Sequence, residues 1–312
     1  MKAFILAEPT GSAGLQLTEQ PTPTLGADDV LVQVQAISLN PVDVKTCQGK
    51  ALYGSLKEQS PVMPGWDIAG IVREVGSNVT TLQPGDEVLG MVNFPGHGRA
   101  YAELVAAPAA HLVRKPANIS MAEAAAGTLA ALTAWQALVN NANLQAGQRV
   151  LVHAAGGGVG HYAVQLAKHL GAHVVATASA AKRDFVQSLG ADEIVDYQQQ
   201  AFEQAVAPVD VVLDCLAGDT QLRSLEVLKP GGTLVSILGL TPDTPQRAEQ
   251  RGVTAKGMLV NSNEPGMQQV AELLGSGALR SHVSHTFAFE QLPQALDEVA
   301  TGRTQGKVVV TL

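Results

Sequence analysis

The chain has 312 residues, 46 % of them hydrophobic and 15 % charged, enough for two domains of ordinary size and too apolar for a disordered chain. A formal net charge of −8 without any basic run argues against nucleic acid as the main partner. No apolar stretch approaches a membrane span, Met1–Glu8 is too short for a signal peptide, and Cys47 and Cys215 make no disulfide framework, so the expectation is a cytoplasmic protein with no membrane partner.

In chain order, Met1–Glu8 reads as a first β-strand, and Val30–Ile37 alternates polar and apolar positions as a half-buried strand does. Asp67–Val75 reads as another strand, and Gln83–Gly90 is a turn leading into a third. Short strands without long helices between them predict a compact, barrel-like β domain. The pattern changes after Pro116. Ala122–Val139 is alanine-rich and predicted helical, and from Arg149 onward strands alternate with helices. The strands are Arg149–Val152, His173–Thr177, Glu193–Asp196, Val209–Asp214 and Gly232–Leu238, an alternation that predicts a doubly wound parallel sheet. A helix near Gln268–Leu274 and a last strand Lys307–Leu312 are expected to return to the first domain. The expected architecture is a Rossmann-type domain over residues 121–261 inserted into a mostly-β domain of residues 1–120 plus 262–312.

The most informative motif joins the first strand of that parallel sheet to the helical stretch His161–Leu170. His153-Ala154-Ala155-Gly156-Gly157-Gly158-Val159-Gly160 puts small residues where a dinucleotide pyrophosphate needs close backbone approach and free helix-start N–H groups. Ala155 stands at the first glycine position of G-x-G-x-x-G, while Gly157 and Gly160 hold the other two. Specificity is read further on. A site for NAD places Asp or Glu about 20 residues past the turn, on the ribose 2′-OH. Thr177–Arg183 contains no acid there, and Ser179, Lys182 and Arg183 offer a hydroxyl and two cations that suit a 2′-phosphate; NADPH is the expected cofactor.

Six segments together resemble the medium-chain dehydrogenase/reductase superfamily, and within it the zinc-independent quinone and enone oxidoreductases. They are Ser38–Asp43, Pro64–Gly70, Pro84–Val88, the glycine turn, Gly190–Glu193 and Gly306–Val309. The resemblance implies a GroES-like fold for the β domain and a homodimer joined through the edge of the nucleotide sheet, with Gly257–Val260 as a candidate edge strand. It also tests for metal. Zinc members carry a His-Glu pair after the Pro64-Gly65 turn and a four-cysteine lobe, whereas here Trp66-Asp67 follows the turn and there is no cysteine cluster, so no metal is expected.

The resemblance further implies roles for individual residues. Asn40 matches a residue beside the nicotinamide, with an ordinary Asn-Pro turn as the alternative. Lys45 and Tyr53 match a lysine and an aromatic hydroxyl near the substrate carbonyl, where they would stabilise charge developing on the oxygen; Lys45 is alternatively a surface lysine. Tyr197 matches a tyrosine against the 2′-phosphate, and Thr128 and Thr133 match nicotinamide neighbours. Leu238 and Gly239, at the end of the fifth strand, are expected to meet the cofactor with their backbone. The polar stretch 239–256 is a candidate lid. The implied activity is NADPH-dependent reduction of a small enone or quinone, with Lys45 favouring enones. A cofactor-binding sensor or structural protein with little turnover stands as the alternative, and a zinc-type alcohol dehydrogenase is disfavoured.

Overall fold

The computed structural model describes residues 1–263 and 265–312. β-Branched runs separated by Gly, Pro and Asn form seven early strands: β1 (Lys2–Leu6), β2 (Leu15–Glu19), β3 (Asp29–Leu39), β4 (Asp67–Val75), β5 (Glu87–Met91), β6 (Leu104–Pro108) and β7 (Val113–Arg114). The chain continues through β8 (Arg149–Val152), β9 (His173–Ala178), β10 (Glu193–Asp196), β11 (Val209–Asp214), β12 (Leu228–Ser236) and β13 (Thr254–Gly257), and closes with β14 (Val283–Ala288) and β15 (Lys307–Thr311). Two compact units result, Met1–Ala130 with Asn261–Leu312, and Ala131–Val260.

The first unit is built on a mixed sheet in the order β14-β15-β3-β4-β5-β7, with β6 also paired to β3 and β1–β2 as a separate antiparallel ribbon. The long β3 is buried over most of its length, and Ala36 on it packs with Ala69, Leu89 and Val309 against Ala124, Ala125 and Ala126. Those alanines belong to the helix Met121–Ala126, which Ser120 caps by accepting from the Glu123 N–H. The helix packs on β3, β4 and β15, so residues 121–130 lie with the first unit and not with the parallel sheet, as the expected boundary at 120/121 had them. The single helix expected over Ala122–Val139 is also interrupted. At Gly127 a Cβ would meet Leu274 Cδ1 at 2.6 Å; the helix ends there, restarts at Leu129–Trp135 and widens into a π-turn over Gln136–Asn141. Antiparallel pairing of β15 with β3 sets Val308 opposite Leu39. That register brings Lys307 to Asn40.

The second unit is a six-stranded sheet in the order β10-β9-β8-β11-β12-β13, every pairing parallel. Its inner strands are apolar along their length, because helices cover both faces: Val150, Leu151, Val152, Val174, Val175, Val212 and Leu213 are all buried. The edge strand is Thr254–Gly257, three residues before the expected Gly257–Val260. Residues 239–256, expected as a candidate lid, form the helix Thr244–Gln250 and most of β13, with Ala248 and Val253 in the core. Among the described residues no helix is long and apolar enough to cross a membrane.

Candidate functional site

In the second unit, β8 ends at Val152, the chain turns through His153–Gly157, and a twelve-residue helix starts at Gly158, earlier than the expected His161. The left-handed backbone of this turn falls on Ala154 (φ +51) and not on Ala155, the position where a glycine was expected. An alanine held there costs roughly 1–2 kcal/mol relative to ordinary backbone. The Ala154 carbonyl accepts the Gly157 N–H at 2.9 Å, and Ala155 N–H donates to Thr177 O at 3.1 Å, tying the turn to β9. Backbone demands a glycine at Gly160, and at Gly156 the close neighbour is a lysine side chain. A Cβ at Gly160 would meet the Ala154 carbonyl oxygen at 2.3 Å, and one at Gly156 would meet Lys182 Cδ at 2.9 Å. The first N–H groups of the helix, from Gly158, Val159 and Gly160, have no intrahelical acceptor, which suits them to an anion.

The contact at Gly156 matters for the site. It lays the half-buried stem of Lys182 across the glycine turn, and burial holds its ammonium below the usual lysine range. Ser179 follows β9, half-buried, and precedes the short turn Ala180–Lys182. Arg183 is exposed, reaching the Ile194 carbonyl with Nη1 at 3.4 Å, and Tyr197 is 58 % exposed just beyond β10. Leu238, 49 % exposed, and Gly239 (φ +81) follow β12. In a parallel sheet all these positions leave the same, C-terminal edge. Thr133, buried, sits on Leu129–Trp135.

A polar hub at this edge escaped the sequence reading. Gln221 is buried after β11; its Nε2 donates to Asp214 Oδ2 (2.9 Å) and Gly239 O (3.0 Å), and its Oε1 accepts from Thr241 N–H (2.8 Å) and the Thr244 hydroxyl (2.6 Å). Asp214 Oδ1 accepts the N–H groups of Leu216 and Ala217, both at 3.0 Å. One side chain thereby fastens the start of the 239–256 segment to the sheet.

In the first unit a buried charged cluster surrounds Asn40. Asn40 follows β3 and precedes the helix Pro41–Cys47, with Pro41 at the helix start where its missing N–H costs nothing. Its Oδ1 accepts from the Lys307 ammonium, which also donates to Leu39 O at 2.9 Å, and its Nδ2 donates to Asp67 Oδ2 at 2.8 Å. The amide thus bridges a buried cation and a buried carboxylate, which leaves no ambiguity over which way it points. Asp67 Oδ1 accepts the Leu129 N–H at 3.0 Å, while Thr128, fully buried, donates its hydroxyl proton to Ala125 O at 2.8 Å. Asp43 caps the Asn40 N–H at 2.7 Å through Oδ2; its Oδ1 lies by the Tyr101 hydroxyl, but neither atom makes a well-formed hydrogen bond. Burial, aided by repulsion from Asp67, pushes Asp43 up to about 7. Burial also raises Asp67 and lowers Lys307, whose charge the two carboxylates favour. Sequence reading singled out Asn40 and missed Asp43 and Lys307; the second lies 267 residues from Asn40 and only the β15–β3 register reveals it.

Lys45 is exposed on Pro41–Cys47 and Tyr53 half-buried at the start of Tyr53–Leu56. Neither takes part in the buried cluster. Among the described residues no group of three His, Cys, Asp or Glu side chains is placed to hold a metal ion.

Residues 26–117 match the alcohol dehydrogenase GroES-like domain family, and residues 189–310 match a family described as zinc-binding dehydrogenase. The chain is 35 % identical to an NADPH-dependent alkenal/one oxidoreductase, chloroplastic, of Arabidopsis thaliana, over 99 % of this chain and 79 % of that protein. It superposes on the quinone oxidoreductase from Coxiella burnetii with a TM-score of 0.93 at 35 % identity, covering 100 % of this chain and 99 % of the other. The quinone oxidoreductase of Escherichia coli, solved in complex with NADPH, gives a TM-score of 0.89 at 26 % identity over the whole of both chains.

Proposed function

The chain belongs to the quinone and enone oxidoreductase branch of the medium-chain dehydrogenase/reductase superfamily, and from that premise we propose that it reduces small α,β-unsaturated carbonyls or quinones with NADPH. The observation that carries this reading is the packing of Lys182 against Gly156, at an anion-ready helix start, in a strand end with no carboxylate from Thr177 to Arg183. Lys182, Ser179 and Arg183 hold the 2′-phosphate, which an acid at any of those positions would repel. The helix-start N–H groups of Gly158 to Gly160 take the pyrophosphate, with Tyr197, Leu238 and Gly239 completing that edge. When bound, NADPH supplies the hydride, so the protein's own task is to orient the reactants and stabilise charge.

The remaining groups come from the first unit. Asn40 keeps a second Nδ2–H beyond the one given to Asp67, a fixed donor for a carbonyl oxygen. Lys45 and Tyr53 stabilise negative charge as it grows on the substrate oxygen, and Tyr53 or water returns a proton to the α-carbon. The reading is zinc-free. Both Asp67 oxygens are already engaged by Asn40 and Leu129, and the residues around them supply no Cys or His ligand set. We further read the protein as a cytoplasmic homodimer: Cys47 and Cys215 are free thiols, and β13 offers an unpaired sheet edge for a second copy.

A steady-state panel tests the reading: NADPH against NADH, and 1,4-naphthoquinone against a short enone. NADPH is expected to be consumed in preference to NADH, with Lys182→Ala narrowing the preference about tenfold, the worth of one charge-assisted contact. Tight NADPH binding with no oxidation across the panel would reduce the protein to a cofactor binder and sink the proposal.

A further inference from the structure

His153, which begins the glycine turn, serves no step described so far, yet it is 1 % exposed and bonded at both ring nitrogens. The directions of those bonds follow from proton counting. Ser224 Oγ donates its single proton to Thr220 O at 2.6 Å, so towards His153 Nε2, 2.9 Å away, it accepts. Nε2 therefore carries the ring proton. In the neutral ring Nδ1 is then an acceptor, so Thr177, at 3.1 Å, donates its hydroxyl proton to Nδ1 and uses its oxygen to accept the Ala154 N–H at 3.3 Å. An unbroken chain runs from Ala154 through Thr177, His153 and Ser224 to Thr220. Its direction holds for one tautomer only.

The ring is fixed sideways as well. Phe202 packs edge-on at 4.7 Å and 74°, and the Arg223 guanidinium lies 5.0 Å from that same phenyl ring. Burial pushes His153 down to about 4, with Arg223 acting in the same sense and Asp214 and Glu203 opposing, so the imidazole is neutral at ordinary pH.

We infer that His153 is a positioning residue for the dinucleotide: through Thr177 it holds the Ala154 N–H, and with it the left-handed backbone from which the phosphate turn springs. Ala154 is where that hold has leverage, because its carbonyl caps Gly157 at 2.9 Å and would lie 2.3 Å from any Cβ at Gly160. Rotating this one residue displaces the N–H groups offered to the pyrophosphate. The inference rests on the reading of the turn as the pyrophosphate site.

The decisive experiment is a rescue. His153→Phe keeps the ring volume against Phe202 and removes both hydrogen bonds; the NADPH Kd, measured by nicotinamide fluorescence, is expected to rise about tenfold, while the KM for an enone and kcat at saturating NADPH stay unchanged. Adding Ala154→Gly, which adopts positive φ without strain, should restore most of the lost affinity. Unchanged NADPH affinity in His153→Phe overturns the inference, and so does a loss that Ala154→Gly fails to recover, since general loosening of the core would not be cured there. If His153→Phe does not fold, Thr177→Val cuts the same link without touching the imidazole and is read in the same way. Nitrogen-15 spectra of histidine-labelled wild-type protein should show His153 as the Nε2–H tautomer without titration between pH 5 and 8; an Nδ1–H tautomer, or titration in that range, overturns it. Gly157→Glu separates the two layers. Unchanged NADPH affinity there means the turn does not hold the cofactor and both readings fall, whereas weakened affinity beside a wild-type His153→Phe removes His153 alone.

Discussion

Two buried ionisable side chains pull the stability of this protein in opposite directions with pH. Asp43 keeps its proton to about pH 7 in the fold but loses it near 3.8 when unfolded, so between those values the folded state binds more protons and stability falls as pH rises. His153 titrates at about 4 folded and 6.5 unfolded, so over that window the unfolded state binds more and stability rises with pH. The two slopes offset each other across most of the acid range. Asp43→Asn removes one of them. Its stability relative to wild type, measured by denaturant unfolding, should increase between pH 4 and 7 by up to about 4 kcal/mol; a pH-independent difference would mean that Asp43 ionises normally. The catalytic proposal is tested on the same scale. Lys45→Met should lower kcat/KM for a short enone about a hundredfold with NADPH affinity unchanged, and unaltered turnover would remove Lys45 from the mechanism.

Among the elements, the segment following β12 illustrates how a single side chain decides between loop and scaffold. Polar, proline-containing 239–256 reads as a lid, yet Gln221 fastens Gly239, Thr241 and Thr244 while Ala248 and Val253 fill the core. Gln221→Ala leaves Asp214 Oδ2 and the Thr244 hydroxyl buried without this partner. The expected cost is about 1–3 kcal/mol, together with faster amide exchange over 239–244; unchanged exchange there would show that packing alone holds the segment. The inner parallel strands were legible because burial on both faces leaves short β-branched runs between turn residues, and Arg149–Val152 and Val209–Asp214 fall where the pattern puts them. The break at Gly127 was not. The glycine there leaves room for the Leu274 side chain, a neighbour supplied from far along the chain.

At the level of the whole molecule, a parallel sheet interrupts a mixed one, and the second returns to complete itself with β14 and β15. The return delivers Lys307 to Asn40, so the last strand of the chain is part of the candidate site. If β13 joins two copies as proposed, light scattering should give twice the chain mass, and a charge at the exposed Leu259 beyond that edge, Leu259→Asp, should yield monomers that still bind NADPH; a monomeric wild type would dispose of the dimer.

Local order was enough to determine the main strands of the parallel sheet, the glycine turn, and the absence of an acid after β9, because each depends on neighbours within a few residues or on one repeating pattern of burial. Tertiary structure alone decided which buried charges meet, which backbone residue bears the strain of the turn, and which histidine nitrogen holds its proton. Those are properties of contacts made across tens to hundreds of residues: Thr177 and Ser224 reach His153 over 24 and 71 positions, and Lys307 reaches Asn40 over 267. A low-dielectric interior makes such pairings energetically large, and no periodicity in the chain records them.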